Sequence, residues 1–136
     1  MARYALKVVP GDWEVEMPLP FTEAEYHRDH ETVEPGMHVA IYQDEPVNGM
    51  VSAGQVNLAF IHLDEWAVRN LGDLPKLHPE ARYLLPLQIG FRRAGPGIMP
   101  RERVREILND PEFPRPGESW LPITYEQYQE LIAGWV

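Results

Sequence analysis

The chain contains no cysteine, which excludes disulfides, thiolate metal sites and thiol catalysis. Serine and lysine are nearly as scarce: Ser52 and Ser119 are the only serines, Lys7 and Lys76 the only lysines. Neither serine sits in a Gly-x-Ser-x-Gly elbow, and neither lysine has a distinctive context, so nucleophilic catalysis has little to start from. No Gly-x-x-x-x-Gly-Lys or Gly-x-Gly-x-x-Gly segment occurs, which leaves nucleotide phosphates without a recognised cradle and calls for no cofactor. No apolar run approaches the roughly 18 residues that a membrane span requires, and mean hydropathy is −0.36. The N-terminal MARYALKVVPGDW lacks the apolar core and cleavage site of a signal peptide. The expectation is a cytoplasmic protein with no membrane partner.

Positive charge is also in short supply. Twenty-one acidic residues face 12 basic ones, for a net charge of −9. A protein that grips long stretches of nucleic acid must neutralise phosphates with a basic face, and this composition argues against one. It does not exclude the reading of a single base in a pocket, where stacking and hydrogen bonds dominate. The charge is uneven as well. Eight carboxylates between Asp12 and Glu34 face one arginine, Arg28, whereas Arg92, Arg93, Arg101, Arg103 and Arg105 face Glu102 and Glu106. These are either two solvated surfaces of opposite sign, or the arginine segment borders a phosphate, with Arg92, Arg93, Arg101 and Arg105 as contacts.

What is present is enough for a single domain over residues 1–136, with 44% hydrophobic and 24% charged residues. Tyr4 to Val9 reads as a strand that Pro10-Gly11 ends. Residues 11–34 form a long connection in which Thr22 and Glu25 could open a short helix as a capping box. Val33 to Val56 reads as a central hairpin. Val39 and Ile41 share one face, His38, Ala40 and Tyr42 the other, and Asn48-Gly49 supplies the turn. Ser52, Ala53 and Gly54 leave room for something to approach the backbone. Extended chain is expected to Leu63, a short helix from Asp64 to Leu71, irregular chain over 73–81, and one strand from Arg82 to Phe91 that either lies at an edge or carries Pro86 on its unpaired side. A helix follows from Pro100 to Asn109, then the loop that delivers Ser119-Trp120. The last helix is opened by the Thr124–Gln127 capping box and striped by Tyr125, Tyr128, Leu131, Ile132 and Trp135. Strands with helices between them and at the end indicate an α+β fold, a small curved or closed mixed sheet flanked by helices.

Two constellations invite a chemical reading. His27 and His30, three apart on a helical turn and close to Asp29, could begin a metal site or a small hydrolase, but no third ligand has motif spacing; solvated loop residues are the plainer reading. Trp13 and Trp120 lie in loops next to Asp12 and Ser119. They are either core anchors or the walls of a pocket for a flat heterocycle, where stacking is worth roughly 1–3 kcal/mol per base. Trp66 and Trp135 have helical partners and read as core.

The segment Val33 to Tyr42 (VEPGMHVAIY), the small-residue strand MVSAGQV, the run Leu108-Asn109-Asp110-Pro111-Glu112-Phe113 and the terminal PITYEQY together resemble the EVE domain, a PUA-like family related to YTH and ASCH domains. The resemblance spans nearly the whole chain. It implies a pseudo-barrel with packed helices and a concave pocket for a modified base in DNA or RNA, or for a free nucleotide. By resemblance, Trp13, Tyr42 and Trp120 would line the pocket. Asp12, Gln43 and Ser119 would contact the edge of the base, and Ser52-Ala53-Gly54 would help form the floor. The expected function is a non-catalytic base-binding module. The alternative is a protein-interaction domain that keeps the fold without the pocket, which a pocket filled by Phe21 or Tyr26 would favour.

Overall fold

A computed structural model describes residues 3–14, 17–68, 80–92 and 97–133. Its architecture is set by strands that are apolar on both faces. β1 (Tyr4–Val9) runs parallel to β3 (His38–Gln43). β3 pairs antiparallel with β4 (Gly49–Val56), completing the expected hairpin. With β7 (Leu87–Arg92) and β9 (Trp120–Pro122), the larger sheet has the order β7-β4-β3-β1-β9, and β8 (Met99–Pro100) also pairs with β4. A smaller sheet, β2-β6-β5, is built from Leu19–Thr22, Ala81–Leu85 and Ile61–His62.

In β3, Val39 and Ile41 enter a core shared with Ala5, Val9, Leu19, Phe21 and Leu85. Ala40 and Tyr42 enter a second core with Leu6, Met50, Val104, Ile107 and Leu131. The first core lies between the sheets. The second lies beneath α3 (Arg101–Leu108) and α4 (Tyr125–Ile132). The alternation in HVAIYQ thus sorts side chains between two interiors rather than between interior and water, as a near-continuous apolar strand covered on both faces should.

Several sequence expectations meet the structure directly. Thr22 caps α1 (Glu23–Asp29) and Thr124 caps α4, each through a complete capping box. Asn109 ends α3 in the left-handed conformation, at φ 55. Other expectations are corrected. The expected Arg82–Phe91 strand breaks at Pro86, which has no N–H to donate. Its halves, β6 and β7 (Leu87–Arg92), join different sheets, so the proline marks the corner where the chain changes layer. Within the connection 11–34, Leu19–Thr22 is a strand despite Pro20; as an edge strand it needs no ladder bond on its free side. The hairpin turn is wider than Asn48-Gly49, because Gly49 already pairs with Gln43. A short 3-10 turn, His30–Thr32, extends α1. The helix expected from Asp64 is α2 (Leu63–Val68); its expected end, the irregular stretch through residue 79 and Trp135 lie outside the described residues.

Candidate functional site

An open cleft of about 900 Å³ lies between the end of β1, the 10–12 turn, β2 with the start of α1, the 44–46 turn and the loop 114–119. Its floor is the polar exception in the first core. Ala5, Lys7 and Val9 share one face of β1 by strand alternation, so Lys7 occupies a position where its neighbours are core residues, and it is 1% exposed. Its Nζ lies 3.8 Å above the centre of the Phe21 ring, donates to Ser119 Oγ at 3.2 Å and stands 3.9 Å from Glu25 Oε2. Burial lowers the ammonium to about 8, against the opposing pull of Glu25 and Asp29 and with a smaller push from Arg28. Glu25 is placed by its own helix cap: Thr22 N–H donates to Oε1 at 2.8 Å, leaving Oε2 toward Lys7. Burial alone would raise the Glu25 carboxyl, but the Lys7 charge and the Ser119 and Thr22 hydrogen bonds outweigh it and hold the group below its usual range.

Asp12 and Ser119 both line this cleft, Asp12 exposed at its mouth and Ser119 buried on its floor. Gln43 serves it from behind. The side-chain amide donates to the carbonyls of Gly11 at 2.9 Å and Trp13 at 2.7 Å, bracing the turn that carries Asp12. Gly11 is needed in that turn, since a Cβ there would lie 1.7 Å from the Glu45 carbonyl oxygen. Trp13 and Trp120 come together in the core between the sheets, each 5% exposed. Trp13 Nε1 donates to the Pro18 carbonyl, whereas Trp120 Nε1 is buried without a partner among the described residues. The aromatic ring nearest the cleft is Phe21, fully buried under the Lys7 ammonium.

Tyr42 is not brought to this place. It lies on the opposite face of β3, fully buried edge-to-face against Phe113. Its hydroxyl has no partner among the described residues, and burial pushes it up to about 12. Tyr42→Phe should therefore leave stability unchanged or raise it by about 1 kcal/mol in urea unfolding, since a buried hydroxyl without a partner gives up water and gains nothing. The Ser52–Gly54 run lies against β7 rather than the cleft: a Cβ on Gly54 would meet the Gln88 carbonyl at 2.5 Å.

The arginine segment is also elsewhere. Arg101, Arg103 and Arg105 belong to α3, on the far side of the larger sheet, and none lines the cleft. Arg103 pairs with Glu106 at 3.2 Å, Arg101 approaches Glu102 at 3.7 Å, and Arg105 donates to the Phe113 carbonyl. Arg92 enters β7 opposite Ser52, its side chain outside the described residues, as is Arg93 altogether. His27 pairs with Glu23, His30 stacks on Tyr26, and Asp29 is held by Arg28. No group of three or more metal-ligating side chains occurs among the described residues.

Lys7 and Glu25 were missed in the sequence. A signal for Lys7 was there, a lone charge within the apolar strand ALKVV.

With this geometry in hand, solved structures supply the comparison. The N-terminal domain of Staphylothermus marinus McrB aligns over 96% of this chain and 93% of its own, with TM-score 0.57 and 9% identity. Human THYN1 in complex with 5-methylcytosine-containing DNA aligns over 93% of both chains, with TM-score 0.58 and 10% identity. The fold is PUA-like. The ASCH protein of Zymomonas mobilis shares this PUA-like architecture over 96% of this chain and 94% of its own, at TM-score 0.53 and 15% identity. No protein-family model and no curated protein matches the sequence. At these identities it is the PUA-like fold that is shared.

Proposed function

We propose that this chain is a non-catalytic module that holds a nucleobase, in particular a modified one, in the cleft floored by Lys7, Phe21 and Ser119. The observation that carries the reading is the polar set on that floor. Lys7 donates, the Glu25 carboxylate accepts and Ser119 can do either, within 3.2–3.9 Å of one Nζ. Base edges present neighbouring donors and acceptors, and a pocket of a few hundred to a thousand Å³ with a few convergent polar groups suits such a ligand. Proline side chains supply the apolar walls, and Phe21, fully buried beneath the Lys7 ammonium, closes the floor. The THYN1 complex supports the same class of ligand, and the Val33–Tyr42, Leu108–Phe113 and PITYEQY segments favour the EVE branch of the superfamily. The partner class is a base, whether carried by DNA, by RNA, by a free nucleotide or by a nucleoside. The alternative of a filled pocket has less support: Phe21 forms part of the floor, Tyr26 is stacked on Tyr83 at 3.6 Å, and the cleft stays open.

Calorimetric titration with 5-methylcytidine and the four common ribonucleosides tests this. Saturable binding by at least one is expected, and Ser119→Ala should weaken it by roughly tenfold, the scale of one hydrogen bond to a charged group. Absence of binding by every nucleoside and by oligonucleotides containing them, or an unchanged affinity in a folded Ser119→Ala, would refute it.

A further inference from the structure

We infer from the charge around the mouth of the cleft that it admits its base as a phosphate-free nucleoside rather than as part of a strand. This rests on the reading that the cleft holds a base. Five carboxylates line it (Asp12, Glu25, Asp44, Glu45 and Glu118) against two cations, Lys7 and Arg115. Asp12, Asp44 and Glu45 are exposed, so they stand at the mouth rather than on the floor.

The two cations are already committed. Lys7 is buried against Phe21 with Ser119 and Glu25. Arg115 at the rim is paired with Asp110 at 3.0 Å and with Glu112. Arg28, which reaches the adjoining loop, donates to the Gly117 carbonyl at 2.6 Å and pairs with Asp29 at 2.9 Å. Among the described residues, Lys7, Arg115 and Arg28 thus each already have a carboxylate partner, and the cleft holds more carboxylates than cations to meet a phosphate. The arginines of α3 cannot do so from the other side of the sheet. Phosphate contacts supply most of the affinity for a nucleic-acid backbone, and a cleft lined mainly by one sign of charge concentrates its field at the mouth. Here that field repels the 5′-phosphate of a base seated on the floor, while leaving a neutral nucleoside unaffected.

The test compares cytidine, 5-methylcytidine, adenosine, guanosine and uridine with their 5′-monophosphates and with short oligonucleotides containing them, at low and at physiological salt. At low salt, where exposed charges are least screened, the binding nucleoside should be about three- to fivefold tighter than its monophosphate. The oligonucleotide should be weaker again, and the gap should shrink as salt is added. The double variant Asp44→Asn, Glu45→Gln should bring the nucleoside-to-monophosphate ratio toward one. A monophosphate or oligonucleotide that binds more tightly than its nucleoside, with affinity falling as salt rises, would overturn the inference while leaving base binding intact. Failure of all three classes to bind would instead remove the base-binding reading.

Discussion

Lys7→Met is expected to make the protein more stable and unable to hold a base. The ammonium is pulled from 10.5 down to about 8 because burial disfavours its charge. The linkage follows from that direction. Below about pH 8 the group is protonated in both states, and the folded protein carries the full cost of a buried charge. Between pH 8 and 10.5 the folded form releases its proton while the unfolded chain keeps it, so stability rises with pH, by about 3 kcal/mol in total. Methionine fills a similar volume without the charge and removes that cost. Part of the gain is offset, since Glu25 loses its neighbour and Asp29 a favourable charge, whereas the relief of Arg28 from a like charge adds to it. A net stabilisation of roughly 1–3 kcal/mol at pH 7 is expected in urea unfolding. The rise of stability from pH 8 to 10 expected of the wild type should vanish in the variant. Above pH 10 the buried Tyr42 and Tyr128, both pushed up to about 12 by burial, reverse the slope because the unfolded chain then ionises first. A Lys7→Met protein that is less stable at pH 7, or that keeps the alkaline rise, would show that the lysine is stabilised where it sits. A destabilising charge retained on the floor of an open cleft is the expected mark of a binding group.

Trp120→Ala should lose about 3–5 kcal/mol of stability, a large fraction of the roughly 5–15 kcal/mol typical of a domain. Trp120 is buried between the sheets, tilted against Phe21 at 5.9 Å, and β9 (Trp120–Pro122) pairs with β1 across Lys7. Its removal therefore opens a cavity directly behind the cleft floor. Trp120→Phe keeps the volume in part and loses the indole N–H, which has no partner among the described residues; it should cost about 1–2 kcal/mol and leave nucleoside binding measurable. Thermal and urea unfolding of the pair decide the point. An alanine variant as stable as the wild type, yet unable to bind, would return Trp120 to the role of a stacking wall.

Local patterns carried much of the fold. The two capping boxes, the Tyr4–Val9 strand and the β3–β4 hairpin were legible because each depends on residues close in sequence. Pro86 is expected from sequence within one strand, at an edge or on its unpaired side, and its true effect depends on which sheet each half of the strand joins. For the site, Asp12 and Ser119 were legible as polar residues in loops that converge, and both reach the cleft. Tyr42 is grouped with the tryptophans by the family resemblance alone, since alternation tells which side chains share a face but not what covers each face. A second core beneath α3 and α4 covers Tyr42, and the tryptophans lie under the smaller sheet.

The sequence by itself determined the α+β class, the caps and turns, the missing thiols and the acidic balance, all of which are properties of composition or of neighbours within about four residues. The tertiary structure alone decided the site. Lys7, Glu25 and Ser119 stand 18 and 94 positions apart in the chain, and their meeting follows from β1 lying beside β9 and beneath the capped start of α1. The Lys7 charge becomes unusual only where that packing removes water from it, and the rim becomes negative only where three separate loops and turns place their carboxylates around one opening.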